Sequence, residues 1–203
     1  MTPGKTTPPD NAKARARAAA TARRARAHVA AQTASEAVCA RFWHQIGAPA
    51  GAVIAGYWPI RTELDPRPLL AQAIRRGHPC ALPVVTAPDR PLIFRRWRPG
   101  DVLVTGPFGV AAPGPGAEEI IPDIVLTPLL AFDRAGHRLG YGAGCYDRTL
   151  AHLRRRRRVL AVGLAYAAQQ ADRIPVDDND QPLDWILTEA EGLQGLRNKD
   201  NKA

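Results

Sequence analysis

The sequence has little methionine, little aromatic side chain and little cysteine. One Met, four Trp, four Tyr and four Phe among 203 residues leave Val, Ile, Leu and Ala to fill the interior. The three cysteines, Cys39, Cys80 and Cys145, are odd in number and widely spaced. They supply neither a disulfide framework nor a Cys-x-x-Cys metal site, and a reducing cytoplasm is the expected compartment. No apolar run approaches the ~20 residues that span a bilayer as a helix. The opening residues lack the apolar segment of a secretory signal. Neither membrane insertion nor export is expected. Acid is scarce at the start, where Asp10 is the sole carboxylate before Glu36. That bias resembles the composition of an organelle transit peptide, yet a periodic helix accounts for the same residues.

What is present fits one domain with a substantial core: 45% of residues are hydrophobic and 23% charged, close to ordinary globular usage. The net charge of +9 concentrates anions around the molecule. Nucleic acid, acidic lipid and phosphorylated or polycarboxylated small molecules all qualify, and charge alone does not choose among them.

Residues 1–10 hold Pro3, Gly4, Pro8 and Pro9 and are expected to form a disordered tail. From 11 to 46 there is neither Pro nor Gly, which predicts one long helix or two in succession, the second starting near Ser35. The apolar run at 50–60 reads as a buried strand ended by a Pro turn. Residues 63–78 read as a helix stopped at Gly77. Strands are expected at 80–85 and 91–97, and turn-rich loops at 99–101 and 106–116. A second buried strand, interrupted at Pro128, covers 124–130. A helix over 147–158 and a strand over 159–166 follow. Non-alternating apolar strands separated by helices predict a mostly parallel sheet covered on both faces. The expected fold is a single α/β domain over 11–190, three layers (α/β/α) thick, with a frayed tail at 191–203.

The most informative stretch is FDRAGHRLGYGAGCYDRTLAHL, residues 132–153. A strand ends at Phe132, a loop follows with Gly136, Gly140, Gly142 and Gly144, and a helix begins near Tyr146 and Asp147. Closely spaced glycines let backbone approach a ligand, and a helix N-terminus presents free N–H groups and a positive dipole end. The arrangement suits a phosphate, with Arg138 and Arg148 placed to pair with its oxygens. It is neither a Walker A loop, which needs Gly-Lys-Ser/Thr, nor a full dinucleotide fingerprint.

The run FDRAGHRLGYGAGCYDR (132–148) resembles the signature of the 5-formyltetrahydrofolate cyclo-ligases, also called methenyltetrahydrofolate synthetases. Further matches lie in order along the chain: KARAR at 13–17, YWPIRTELD at 57–65, FRRWRPGDVLVTGPFGV at 94–110, and PDIVLTPLLAFD at 122–133. The last block, GLAYAAQQADRIPVDDNDQPLDWILTE, spans 163–189. Colinear matches over nearly the whole chain are more specific than any one motif.

The resemblance implies a monomeric cytoplasmic enzyme that uses ATP and Mg²⁺ to convert 5-formyltetrahydrofolate, with or without a polyglutamate tail, into 5,10-methenyltetrahydrofolate. It implies ATP binding by Lys13 and Arg17 of the first helix and by the loop Arg138, Leu139, Gly140, Tyr141, Gly142, Ala143, Gly144, Cys145 and Tyr146. Three cations and a run of amides suit a triphosphate. It implies folate contacts at Trp58, Glu63 and the loop residues 141–145. A carboxylate such as Glu63 can accept paired N–H donors from a pterin-like ring. Asp147 and Asp180 fall at metal positions, consistent with the preference of Mg²⁺ for one or two carboxylates plus phosphate oxygens and water. No covalent nucleophile is implied. Gln169 is expected at or just behind the folate.

Three positions depart from the family pattern. Cys145 stands where an aromatic is usual, Ala112 where an acid or amide often precedes the loop proline, and Ala143 where Gly or Lys is common. Two alternative readings follow: a homologue without this activity, and a basic nucleic-acid-binding protein built on the Arg-rich segments. The arginine run at 154–158 lacks interleaved aromatics and reads better as a helix end facing the dipole. Nucleic-acid and membrane partners are not expected.

Overall fold

Freedom from Pro and Gly carries the first helix, α1 (Pro9–Ala30), through five turns and more. The computed structural model describes residues 9–195. Most of the expected disordered tail therefore lies outside the described residues, and Pro9 and Asp10 already belong to α1. Helix α2 (Ala34–Gln45) follows after a three-residue break, one residue before the expected start.

Strand β1 (Ile54–Ala55) is far shorter than the apolar run around it. Pro59 has no N–H to give a sheet, and Arg61 takes a left-handed backbone at φ 55°. The chain therefore leaves the sheet and loops back, closed by the Tyr57 hydroxyl donating to the Leu64 carbonyl at 2.6 Å. Helix α3 (Arg67–Arg75) ends before Gly77 as anticipated. Strands β2 (Cys80–Val84) and β3 (Ile93–Arg96) match the expected pair.

Part of the region expected as loop is a hairpin of β4 (Leu103–Thr105) and β5 (Ala111–Pro113). Strand β6 (Ile124–Thr127) stops before Pro128. A small antiparallel pair, β7 (Ala131–Phe132) and β8 (Arg138–Leu139), occupies the start of the predicted Gly loop. Helix α4 (Cys145–Arg154) and β9 (Leu160–Leu164) come next. They are followed by β10 (Trp185–Leu187) and β11 (Gly192–Gln194). The last strand corrects the frayed tail expected from 191: residues 192–194 pair with β10, and 196–203 lie outside the described residues.

Seven strands form the central sheet in the order β11-β10-β9-β6-β1-β2-β3, with the five inner strands parallel and both edge strands antiparallel. Successive residues face opposite sides. Ile54, Leu82, Leu126 and Val162 meet Phe42 of α2 and Leu70 of α3 on one face. Ala55, Ala81, Val125 and Ala161 meet Leu150 and Leu153 of α4 on the other. Three layers result, as the sequence implied.

Candidate active site

The sheet order reverses between β1 and β6. After β1 the chain adds β2 on one side, and it later returns to place β6 on the other. In open parallel sheets such a switch point leaves a crevice beyond the carboxyl ends of the strands. A cavity of about 920 Å³ opens there, lined by Trp58 and Glu63 after β1, Val84 and Val85 at the end of β2, and Pro128 after β6. Lys13 and Arg17 of α1, the whole segment 138–148, and Asp180 complete its wall. All fifteen residues singled out as site residues border this one space.

Helix α1 delivers two cations four residues apart, on one face. Lys13 Nζ lies 2.8 Å from Asp177 Oδ2 and 3.4 Å from Asp180 Oδ2. The Asp177 carboxylate holds the Lys13 ammonium above its ordinary pKa, while Lys13 holds Asp177 below the usual carboxylate range. Arg17 Nε donates to the Gly140 carbonyl at 3.2 Å, so the helix grips the Gly loop directly.

The loop needs its glycines for space and for backbone. Gly142 has φ 105°, and a Cβ there would sit 3.1 Å from the Arg17 guanidinium carbon. Gly144 has φ 65° and starts α4 without any side-chain cap, leaving the first amides of the helix to the cavity. Arg148 does not wait for phosphate as its flanking position implied. Its Nη2 donates to the carbonyls of Pro88 (2.6 Å) and Ala143 (2.7 Å), bracing the loop against the segment before β3.

Arg138, nearly buried, donates from Nη2 to Asp147 Oδ1 at 2.7 Å. The same oxygen accepts the Gln181 N–H at 3.0 Å, which ties Asp147 to the segment carrying Asp180. Asp180 uses Oδ2 to accept from the Asp177 N–H at 2.9 Å and from Lys13. Among the described residues, Asp147 Oδ2 and Asp180 Oδ1 have no protein donor. No group of three or more His, Cys, Asp or Glu among the described residues could hold a metal ion by itself, so the two free carboxylate oxygens bordering this cavity suit Mg²⁺ only in company with phosphate and water.

At the other end, Glu63 is 5% exposed, and its Oε2 accepts the Ile60 N–H at 2.9 Å. Burial pushes its pKa above the ordinary range, partly opposed by the Ile60 N–H and by Arg24. Trp58 stands edge-on to Trp97, with ring centroids 6.1 Å apart, and the Arg67 guanidinium lies 5.1 Å over its ring. It is therefore anchored by the protein while bordering the cavity.

Gln169, expected on the site or just behind it, is not on it. It is fully buried, gives both amide protons to the carbonyls of Leu129 (2.8 Å) and Leu130 (3.1 Å), and accepts the Tyr166 N–H at 2.8 Å. It fixes the turn after β6 and does not border the cavity. Arg24 was missed. It reaches Glu63 and Tyr141, and its spacing of seven from Arg17 was the available signal, since seven residues are two helical turns. Cys145 is half-buried, 3.9 Å from the Ala143 carbonyl, with no base beside it. Ala112 sits buried in β5 at the cavity edge, and Ala143 is exposed on its rim. In the arginine run, Arg154 pairs with Asp184 at 2.8 Å and Arg157 pairs with Asp123.

Comparison with known proteins addresses the chain and its fold as a whole. A model of the 5-formyltetrahydrofolate cyclo-ligase family matches residues 9–189. The 5-formyltetrahydrofolate cyclo-ligase of Mycolicibacterium smegmatis is 35% identical over 170 residues, covering 80% of this chain and 86% of that protein. That of Escherichia coli is 35% identical over 133 residues, covering 62% and 71% respectively. Among solved structures, the Aquifex aeolicus 5,10-methenyltetrahydrofolate synthetase superposes with a TM-score of 0.71 at 29% identity, over 90% of this chain and 92% of that one. The Mycoplasma pneumoniae synthetase, at 22% identity and TM-score 0.68 over 87% and 98%, shows the same fold.

Proposed function

The chain belongs to the 5-formyltetrahydrofolate cyclo-ligase family, and from that premise we propose how its cavity closes 5-formyltetrahydrofolate to 5,10-methenyltetrahydrofolate while ATP becomes ADP and phosphate. One observation carries the reading. A single cavity has cations and loop amides at one end, an acid and an aromatic at the other, and the Gly loop between them.

The triphosphate lies at the Lys13 end. Lys13, Arg17 and Arg138 neutralise its charge, and the amide N–H groups of the Gly loop and of the start of α4 donate to its oxygens. Asp147 and Asp180 would hold Mg²⁺, which would supply further neutralisation of the phosphate charge. The folate ring lies against Trp58, with its N–H edge on Glu63. The formyl oxygen of the substrate attacks the γ-phosphorus and ADP leaves. The second folate nitrogen then attacks the formyl carbon and gives up its proton, which the departing phosphate can carry away, and cleavage of the carbon–oxygen bond to phosphate leaves the methenyl bridge. Phosphoryl transfer of this kind needs alignment and charge neutralisation more than covalent help. The two separately buried thiols fit the same view: burial raises Cys39 and takes Cys80 to about 12.

We place the enzyme in the cytoplasm as a monomer acting on folate with or without a polyglutamate tail. No helix among the described residues is long and apolar enough to cross a membrane. The test is an absorbance assay for methenyltetrahydrofolate with the purified protein. Product formation that requires ATP and Mg²⁺ together supports the reading, and its absence with both substrates saturating overturns it.

A further inference from the structure

We propose that Arg24 is a positioning residue for the folate half of the cavity, holding from behind the wall the Glu63 carboxylate and the Tyr141 ring that face the ligand. This rests on the reading that Glu63 contacts the folate ring.

Arg24 does not border the cavity and is 1% exposed. Its Nε donates to Thr62 Oγ1 at 3.2 Å, and its Nη1 lies 3.7 Å from Glu63 Oε1. Its guanidinium carbon sits 5.4 Å from the centre of the Tyr141 ring. One side chain on α1 thus touches both the loop after β1 and the Gly loop, the two segments that meet across the ligand space. Its Nη1 and Nη2 meet only the longer ion pair with Glu63 and the Tyr141 side chain, short of full hydrogen bonding among the described residues. For stability alone this is a poor choice, because a buried guanidinium with unused donors is costly and an apolar side chain of similar volume often serves better. The arrangement makes sense if the guanidinium is needed for what it holds.

The groups facing Glu63 are Arg24 from α1, Tyr141 from the Gly loop, and Arg61 and the Ile60 N–H from its own loop. Tyr57 and Tyr146 lie close enough to feel its charge. Burial favours the protonated acid, while Arg24 and Arg61 work against it. Without Arg24 the carboxyl takes up a proton more readily and offers one acceptor fewer to a ring presenting two N–H groups. Tyr141, half exposed on the cavity, also loses the cation that its ring face covers.

The experiment compares the parent with Arg24→Met, Arg24→Lys, Glu63→Gln and the Arg24→Met/Glu63→Gln double variant, by steady-state kinetics across pH with each substrate varied in turn. For Arg24→Met we expect the KM for 5-formyltetrahydrofolate to rise several-fold, most steeply on the acid side of the profile. The acid limb of kcat/KM for folate moves to higher pH, because the guanidinium that opposes protonation of Glu63 is gone, while the ATP KM stays near the parent value. Arg24→Lys restores the acid limb but, lacking the broad guanidinium over Tyr141, keeps a raised folate KM. The double variant keeps the pH profile of Glu63→Gln, with a folate KM raised further by the lost contact to Tyr141. A parent-like folate KM and acid limb in Arg24→Met, with Glu63→Gln impaired, overturns the positioning role. A parent-like Glu63→Gln instead overturns the folate assignment on which it rests. Should Arg24→Met fail to fold, an Arg24→Lys enzyme identical to the parent in both readouts overturns the proposal equally.

Discussion

The two ends of the cavity handle charge in opposite ways. At the Lys13 end, the ammonium and its partners Asp177 and Asp180 are partly exposed, and the Asp177 side chain is 55% accessible. At the Glu63 end, Arg24 and Glu63 have side-chain exposures of 1% and 4%. The exposed cations are held by acids that water or a ligand can replace at little cost, because surface pairs contribute only about 0–1 kcal/mol. The buried pair cannot exchange partners without a large desolvation penalty. One end is built to swap counter-charges for an incoming phosphate, and the other to keep a fixed shape for a ring.

The largest effect should come from breaking the buried pair. Glu63→Ala leaves the Arg24 guanidinium buried without a counter-charge, and the expected loss of stability is about 3 kcal/mol or more, read as a lower denaturation midpoint with an unchanged slope. A loss below 1 kcal/mol would place Glu63 with the exchangeable acids and erase the contrast. Next come the candidate metal acids. Asp147→Asn and Asp180→Asn should each raise the Mg²⁺ concentration for half-maximal turnover by at least ~10-fold, with the fold intact by circular dichroism. If both turn over like the parent at limiting Mg²⁺, the metal assignment is wrong.

The exchangeable cations follow. Lys13→Ala and Arg17→Ala each remove a charge-assisted phosphate contact, and the ATP KM should rise by the equivalent of about 1.5–3 kcal/mol. The folate KM should change little, so equal effects on both substrates would show that α1 serves the whole cavity. A smaller gain is expected where the family's usual aromatic is missing: Cys145→Tyr should tighten folate binding by about 0.5–1.5 kcal/mol if the ring can stack. Cys145→Ser should leave kcat near the parent value, and its collapse in a folded variant would reveal a thiol with a chemical role.

The smallest effect belongs to Asp177. Lys13 holds its carboxyl below the ordinary range, so the contribution of the pair is present at neutral pH and lost as pH falls through the carboxylate range. Being exposed, it should be worth less than about 0.5 kcal/mol. Thermal melts of Asp177→Asn at neutral pH should overlay those of the parent. A clear drop would move this pair into the same class as Arg24 and Glu63.

How much of this could be read from the residue order depends on how local each feature is. The helices of 11–46, the stop at Gly77 and the start of α4 after Gly144 follow from helix propensity and from where glycine interrupts it, which act within one or two turns. Strand β1 was over-read because apolarity marks burial and not sheet pairing. The run at 50–60 is largely buried, yet the chain turns out of the sheet at Tyr57. Whether Gln169 stood on the site or behind it stayed open for a related reason: a position in a motif says nothing of which carbonyls its amide meets.

The sequence alone determined that a parallel α/β sheet would form, that a glycine loop would precede a helix, and which family's motifs run along the chain, since periodicity and spacing are local properties. Tertiary structure decided the rest. Residues as far apart as Lys13 and Asp180, or Arg24 and Tyr141, became neighbours only because the sheet reverses its order between β1 and β6 and α1 lies across that gap. Whether each charge is then exposed and exchangeable or buried and fixed is a matter of desolvation, which no stretch of sequence carries by itself.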